Sequence, residues 1–208
     1  MSSMLTSRPF TRLALVAAVA LPLAGCASEL TRTGSSPAYL LISSIQGAAG
    51  AEPDTFGTPL LSDVQTFGSV FNDLGRATMR VGLKNPGPSA NPTAPSSLNS
   101  ITIERYRVTY RRSDGRNTQG VDIPFAFDGA VTTTVPANGE ATFAFDVVRN
   151  QAKLEEPLRS LRGLGGALII STIAEIEFFG RDQAGNEVIA TGTLSVNFAD
   201  FADPIQGQ

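Results

Sequence analysis

Between residues 38 and 199, apolar side chains recur at every second position in short runs, and turn residues close each run. Ala77, Met79, Val81 and Leu83 alternate with Thr78, Arg80, Gly82 and Lys84, the period of a strand with one buried face. Ala141, Phe143, Phe145 and Val147 repeat it. So do Leu168, Ile170, Ala174, Ile176 and Phe178, and then Val188, Ala190, Leu194, Val196 and Phe198. The last two runs flank Asp182-Gln183-Ala184-Gly185-Asn186, a set rich in hairpin residues. Tyr39 to Ile45 reads as the first strand and Leu60 to Phe67 as an edge strand, separated by a loop of Gly, Ala, Asp and Pro.

Other segments depart from simple alternation. In Ile101 to Arg112, Ile101 and Ile103 share one face while Tyr106, Val108 and Tyr110 fall on the other parity. One extra residue near Glu104-Arg105, a β-bulge, restores a single apolar face. Val121 to Phe127 and Ala130 to Val135 are expected as two runs divided by Asp128-Gly129. Asn85-Pro86 ends the strand before it, since proline donates no backbone hydrogen bond and restricts its predecessor. Pro86, Pro88, Pro92 and Pro95 then make a stiff, extended loop. Asn150 to Arg162, with Leu154, Leu158 and Leu161, predicts one or two short helical turns, Pro157 opening the second and Gly163 closing it. After Ala199 the chain turns polar and is expected to fray through residues 200–208.

These elements predict an all-β, antiparallel sandwich of seven to nine strands with one short helical segment. Two routes between the sheets stay open: a kink at Asp128-Gly129 where one strand switches sheets, which is preferred, or a 150–166 connection that crosses the domain. The strands at 101–112 and 168–180 are expected to be antiparallel neighbours. Their polar faces carry Arg105, Arg107 and Arg111 on one and Glu175 and Glu177 on the other.

The N-terminus has a different pattern. Arg8 and Arg12 precede an apolar run from Leu13 to Leu23, broken only by Pro22. Eleven helical residues reach ~16 Å, short of the ~20 residues that span a bilayer, so the segment reads as a secretory signal. Leu23-Ala24-Gly25-Cys26 resembles the lipobox of bacterial lipoproteins. The resemblance implies cleavage after residue 25, a diacylglycerol on Cys26 and acylation of the new amine. It also implies a lipidated tether over 26–37 and a folded domain over 38–199. Several acyl chains exceed the two signals that stable attachment needs. Ala27 stands where lipoproteins retained in the inner membrane typically carry Asp, which implies the outer membrane.

Composition narrows the chemistry further. Without residues 1–25, the chain has 14 basic and 19 acidic side chains, a formal charge of −5, contrary to the basic face of a nucleic-acid partner. There is no histidine, so neither a Ser-His-Asp triad nor a histidine-ligated metal is available. Cys26 is the sole cysteine, which excludes a disulfide within the chain. No cofactor is expected. The only lysines are Lys84 and Lys153, neither in a Ser-x-x-Lys motif. Gly163-Leu164-Gly165-Gly166 precedes a strand rather than opening a helix, unlike a phosphate cradle. The arginine stripe has two readings, an anion site for phosphate, headgroups or acidic sugars, and a solvated strand face. The second is favoured.

The order of strands and the closing hairpin resemble immunoglobulin-like or fibronectin-III-like modules of bacterial surface proteins over residues 76–199. Asp182-x-x-Gly185-Asn186 is similar to the last hairpin of bacterial Ig-like repeats. Asn85-Pro86 after a strand resembles the LEA type-2 (water-stress) domain. The chain lacks the cysteine pair, core tryptophan and corner tyrosine of an antibody-type domain. The resulting expectation is a non-catalytic envelope module that binds or scaffolds an envelope protein or glycan. Its candidate contact residues are Pro86, Pro88, Pro92, Pro95, Asp182 and Asn186. The alternative is a carboxylate-dependent enzyme acting on an envelope polysaccharide.

Overall fold

A computed structural model describes residues 35–201 and 203. The leader, Cys26 and most of the tether therefore lie outside the described residues. Eight strands follow in order: β1 (Ala38–Ala48), β2 (Leu60–Asp63), β3 (Asp73–Leu83), β4 (Ile101–Arg111), β5 (Phe127–Val135), β6 (Glu140–Val148), β7 (Ile170–Asp182) and β8 (Glu187–Ala199). They form two sheets, β1-β3-β6 and β2-β8-β7-β4-β5. The all-β class with a short helical segment is as the sequence predicts.

Alternation places the core between the sheets. Ala77 and Met79 of β3 and Phe143, Phe145 and Val147 of β6 face Ile176 and Phe178 of β7 and Leu194, Val196 and Phe198 of β8, all buried. Phe143 and Phe145 meet Phe178 edge-on, with ring centroids 5.6 and 5.3 Å apart, the geometry aromatic quadrupoles favour. The expected bulge in β4 lies between Ile103 and Arg105, as a register shift against both β5 and β7. It turns Tyr106, Val108 and Tyr110 inward with Ile101 and Ile103. Both tyrosines reach across the core to the edge strand of the opposite sheet. Tyr110 Oη donates to the Val147 carbonyl at 2.5 Å, and Tyr106 Oη accepts from the Asp146 amide at 3.0 Å. Edge groups of β6 that would otherwise be orphaned in the interior are thereby paired.

Several expectations need correction. Val121–Phe127 is not a strand. The amides of Val121, Asp122 and Ile123 turn back onto the Thr118 carbonyl, and only Ile123 of the three is buried. Asp128-Gly129 is no kink: both residues lie inside β5, paired with Arg107 and Tyr106. The reason is steric, because a Cβ at Gly129 would sit 2.2 Å from the Tyr106 ring. The chain changes sheets at the 136–139 turn and again through 149–169, so it is the 150–166 connection that crosses. There α1 (Asn150–Leu154) and a 3₁₀ turn (Leu158–Leu161) close one end of the sandwich, burying Leu158 and Leu161. One pairing is also parallel, β2 with β8. β2 ends at Asp63, ahead of a tight hairpin at Thr66–Ser69.

Fraying does not begin at Ala199. The described residues beyond it are tied down: the Gly163 amide donates to Asp200, Phe201 N to Asp63 at 2.9 Å, and Phe67 N to Asp203 at 2.8 Å.

Candidate functional site

β3 ends and β4 begins at the same end of the sandwich as the β7–β8 turn, since Ile101 is paired with Asp182. β1 starts there too, with Ala38 opposite Leu83. The 84–100 loop, the 183–186 turn and the entry of the chain at Ser35 thus share one end. The loop folds on itself: Thr93 N donates to the Pro86 carbonyl at 2.8 Å and Asn91 N to that of Pro88 at 2.9 Å. Pro86, Pro88 and Pro92 are exposed, and Pro95 is half-buried.

Asp182 and Asn186 do something different. Asp182 is 4% exposed. Its carboxylate accepts from Ala184 N at 3.0 Å, Asn186 N at 2.9 Å and Asn186 Nδ2 at 2.8 Å. Burial opposes its charge, but these donors and the Ser36 hydroxyl outweigh that cost and hold the carboxyl below its usual range. Gly185, at φ 86°, supplies the left-handed residue of the turn. Both side chains hold the hairpin, and the hairpin meets β4 where Gln183 Nε2 lies 3.4 Å from the Ser100 carbonyl.

Sequence reasoning missed the most enclosed polar cluster. Lys153 of α1 is 1% exposed, and its Nζ lies 2.7 Å from Asp73 Oδ1 at the start of β3. Asp73 also accepts from Ser62 Oγ of β2 at 2.5 Å and from the Gly50 amide at 2.9 Å. Burial pushes the Asp73 carboxyl up, opposed by the charge and hydrogen bond of Lys153. Serine, lysine and aspartate do meet, but the serine proton points at the carboxylate and all three residues are closed to solvent. A nucleophilic serine needs a free base within reach. Here the base is consumed in an ion pair, and the cluster ties β2, the Gly50 loop, β3 and α1 together. The available signal was a lysine placed in the one helical segment of a chain with only two lysines.

The glycine-rich turn contacts the end of the chain's last strand through one amide. Gly163 donates its amide to buried Asp200, whose second oxygen has no partner among the described residues. On the outer face of the five-stranded sheet, β4 and β7 pair as expected, with Arg107 opposite Glu177. Arg111 Nε lies 3.0 Å from Glu175. Arg107 instead chelates Asp128 of β5 through two bonds of 3.0 Å, and Arg105 lies 3.6 Å from the same carboxylate. Arg105 also stacks on Phe179, 3.6 Å from the ring centroid. A shallow cavity of about 150 Å³ opens beside it, lined by Glu104, Arg181, Glu187 and Ile189. The stripe is thus largely neutralised by its own sheet. Among the described residues no helix is long and apolar enough to cross a membrane.

No protein-family model and no curated protein matches the sequence. One similar solved structure is described as the X-ray structure of Northeast Structural Genomics Consortium target SoR45. It is 10% identical, and the match covers 77% of this chain and 86% of that one with a TM-score of 0.34, values that carry no argument for function.

Proposed function

We propose that this chain is a lipid-anchored envelope module, held at the outer membrane through Cys26, that binds or scaffolds another envelope component without turning it over. The observation that carries the non-catalytic reading is the Ser62–Asp73–Lys153 cluster, which is closed to solvent and whose carboxylate is held by the serine, the lysine and the Gly50 amide. The strand order supports an immunoglobulin-like module. A β8-β7-β4-β5 run packed on β1-β3-β6 matches the G-F-C sheet with an added C′ strand over an A-B-E sheet. In this reading the 84–100 loop with Pro86, Pro88, Pro92 and Pro95 is the contact surface for that component. An already ordered loop loses little entropy on binding, and loops on rigid scaffolds are common recognition surfaces.

Two experiments test the proposal. Intact-mass spectrometry of detergent-extracted protein is expected to show an acylated chain beginning at Cys26, and Cys26→Ser is expected to leave the membrane fraction. Replacing residues 86–97 with a Gly/Ser linker is expected to preserve the melting temperature and lower cross-linked partner recovery. A soluble mature chain with a free thiol refutes the anchor, and turnover of a cell-wall glycan by purified protein refutes the non-catalytic role.

A further inference from the structure

A strand at the edge of a sheet leaves amides and carbonyls unpaired, and proteins blunt such edges by shortening, charging, bulging or covering them. The sheet edges among the described residues are β1, β6, β2 and β5, and the first three are treated in this way. β2 has only four residues. β1 has a register shift between Ile42 and Ser44, and Gly47 exchanges both of its backbone bonds with Gly57, at 2.9 and 2.8 Å. Its Ile42 and Ile45 also lie over Gly192 of β8, where a Cβ would come within 2.4 Å of Ile45. β6 carries Glu140 and Asp146, and Tyr106 and Tyr110 tie down its end.

β5 is the exception. It is nine residues long, and the chain has no charged residue from Gly129 to Gly139. Val131 to Val135 are all valine or threonine, residues that favour strands. The register shift against β4 falls opposite Glu104, yet exposure alternates without a break from Phe127 to Thr134, so β5 keeps a regular pleat. Two observations show which backbone groups point off the sheet. Arg149 donates to the Asp128 carbonyl from the edge side. Thr134 meets Thr102 of β4 through their hydroxyls at 2.9 Å, the closeness of a pair that shares no backbone bond. By alternation, the amides and carbonyls of Ala130, Thr132 and Thr134 turn away from β4, and no bond from a loop or turn reaches them. Phe127 and Val131, half-buried at the rim of the core, lie along the same edge.

We propose that β5 is the interface of a two-fold homodimer, in which the β5 edges of two copies pair antiparallel about Thr132 and join their five-stranded sheets into one. The sequence names the second copy as the occupant, because the edge is its own complement in this register. Ala130 falls opposite Thr134, and these positions supply about six backbone bonds. Asp128 falls opposite Pro136. The carbonyl already held by Arg149 therefore meets the one residue with no amide to offer it. No charge opposes another along the seam, and Phe127 and Val131 gain cover. The same patch serves both copies, so assembly closes at two. The seam is narrow, which makes the dimer reversible. The proposal goes beyond the binding-module reading and does not depend on it.

The test introduces Thr132→Cys, Thr134→Cys and Ala130→Cys separately into the full chain. Intact cells are oxidised and linked peptides are identified by mass spectrometry, with the parent chain as control for bonds through Cys26. In the proposed register the two Thr132 Cα atoms lie about 5.5 Å apart, within the ~4.4–6.8 Å that a disulfide bridges. The two Thr134 Cα atoms lie ~14 Å apart, at about 3.4 Å per residue. A 132–132 bond is therefore expected, and no 134–134 bond. Chains with Ala130→Cys and Thr134→Cys, expressed together, are expected to link 130 to 134. Sedimentation of the detergent-extracted full chain is expected to show a monomer–dimer equilibrium. Thr132→Pro removes only an outward amide and is expected to weaken the dimer about thirtyfold, the loss of both bonds at the two-fold. Should proline lower the melting temperature of the dilute monomer, Thr132→Lys carries the test. It keeps every backbone group, sets like charges opposite each other and is expected to weaken the dimer about fivefold. A monomer at every concentration overturns the proposal, as does equal linking at 132 and 134. So does a bond from 132 to a different protein, or a Thr132→Lys dimer as tight as the parent's.

Discussion

Two ion-pair groups in this molecule use similar chemistry in opposite surroundings. Lys153 and Asp73 meet at 2.7 Å with side chains 2% and 0% exposed, whereas Arg107 and Asp128 meet at 3.0 Å with both about half exposed. Water screens the second pair, and such pairs add little to stability. The first pair has lost its water, so its attraction is set against a large desolvation cost, and either partner left alone is strongly unfavourable. The consequence is a difference in role. The arginine group helps set the register of three strands that already pair through their backbones. The buried pair fixes where four separate segments meet, because no other arrangement satisfies both charges.

The sharpest way to break this comparison is Lys153→Ala. Leaving Asp73 buried and unpaired is expected to cost about 3–5 kcal/mol, read from urea unfolding. Removing both charges with Asp73→Asn and Lys153→Met is expected to recover most of that loss. A single mutant as stable as the parent would place the two ion pairs on the same footing.

A neutral buried bond should fall between the extremes. Tyr110→Phe strips the Val147 carbonyl of its donor inside the core and is expected to cost about 1–3 kcal/mol. The counterpart change at Tyr106, whose oxygen accepts the Asp146 amide, tests whether the second cross-sheet tie is comparable.

Asp182 adds a pH axis. Its folded-state carboxyl lies below its ordinary value of 3.8, so its contribution is present above that pH and is lost as pH falls through the folded value. Amide exchange at Ala184 and Asn186, corrected for intrinsic rates, is expected to accelerate in that window. Asp182→Asn should abolish the pH dependence. Exchange that is unchanged by pH would show that the turn is held by its backbone alone.

The smallest effect is expected at Arg107→Ala, a shift in melting temperature no larger than added salt produces in the parent chain. A large loss there would mean that the stripe supports the sheet in earnest.

How much of this was readable in advance depended on sequence distance. The β4 bulge was legible because five apolar residues within one strand change parity at a single place, and one inserted residue is the only local repair. The Asp128-Gly129 error has the same origin turned around. Local rules treat that pair as a turn, but Gly129 is there to make room for Tyr106, 23 residues earlier in the chain. The partner of Gly163 was likewise hidden, because Asp200 is 37 positions away.

Alternation and turn residues settle most of the strands, their buried faces and the all-β class, because each depends on side chains within a few residues of one another. The lipobox resemblance is equally local, since it is confined to four consecutive positions. The route between sheets, the union of Ser62, Asp73 and Lys153, and the left-handed Phe67 depend on the whole fold. Lys153 is 80 residues from Asp73, and its burial becomes favourable only when α1 closes the sandwich end over that carboxylate. Phe67 keeps its strained backbone, at φ 48°, because Asp203, 136 residues later, holds its amide. Short-range pattern chooses the elements, whereas desolvated charge and steric room decide how they meet.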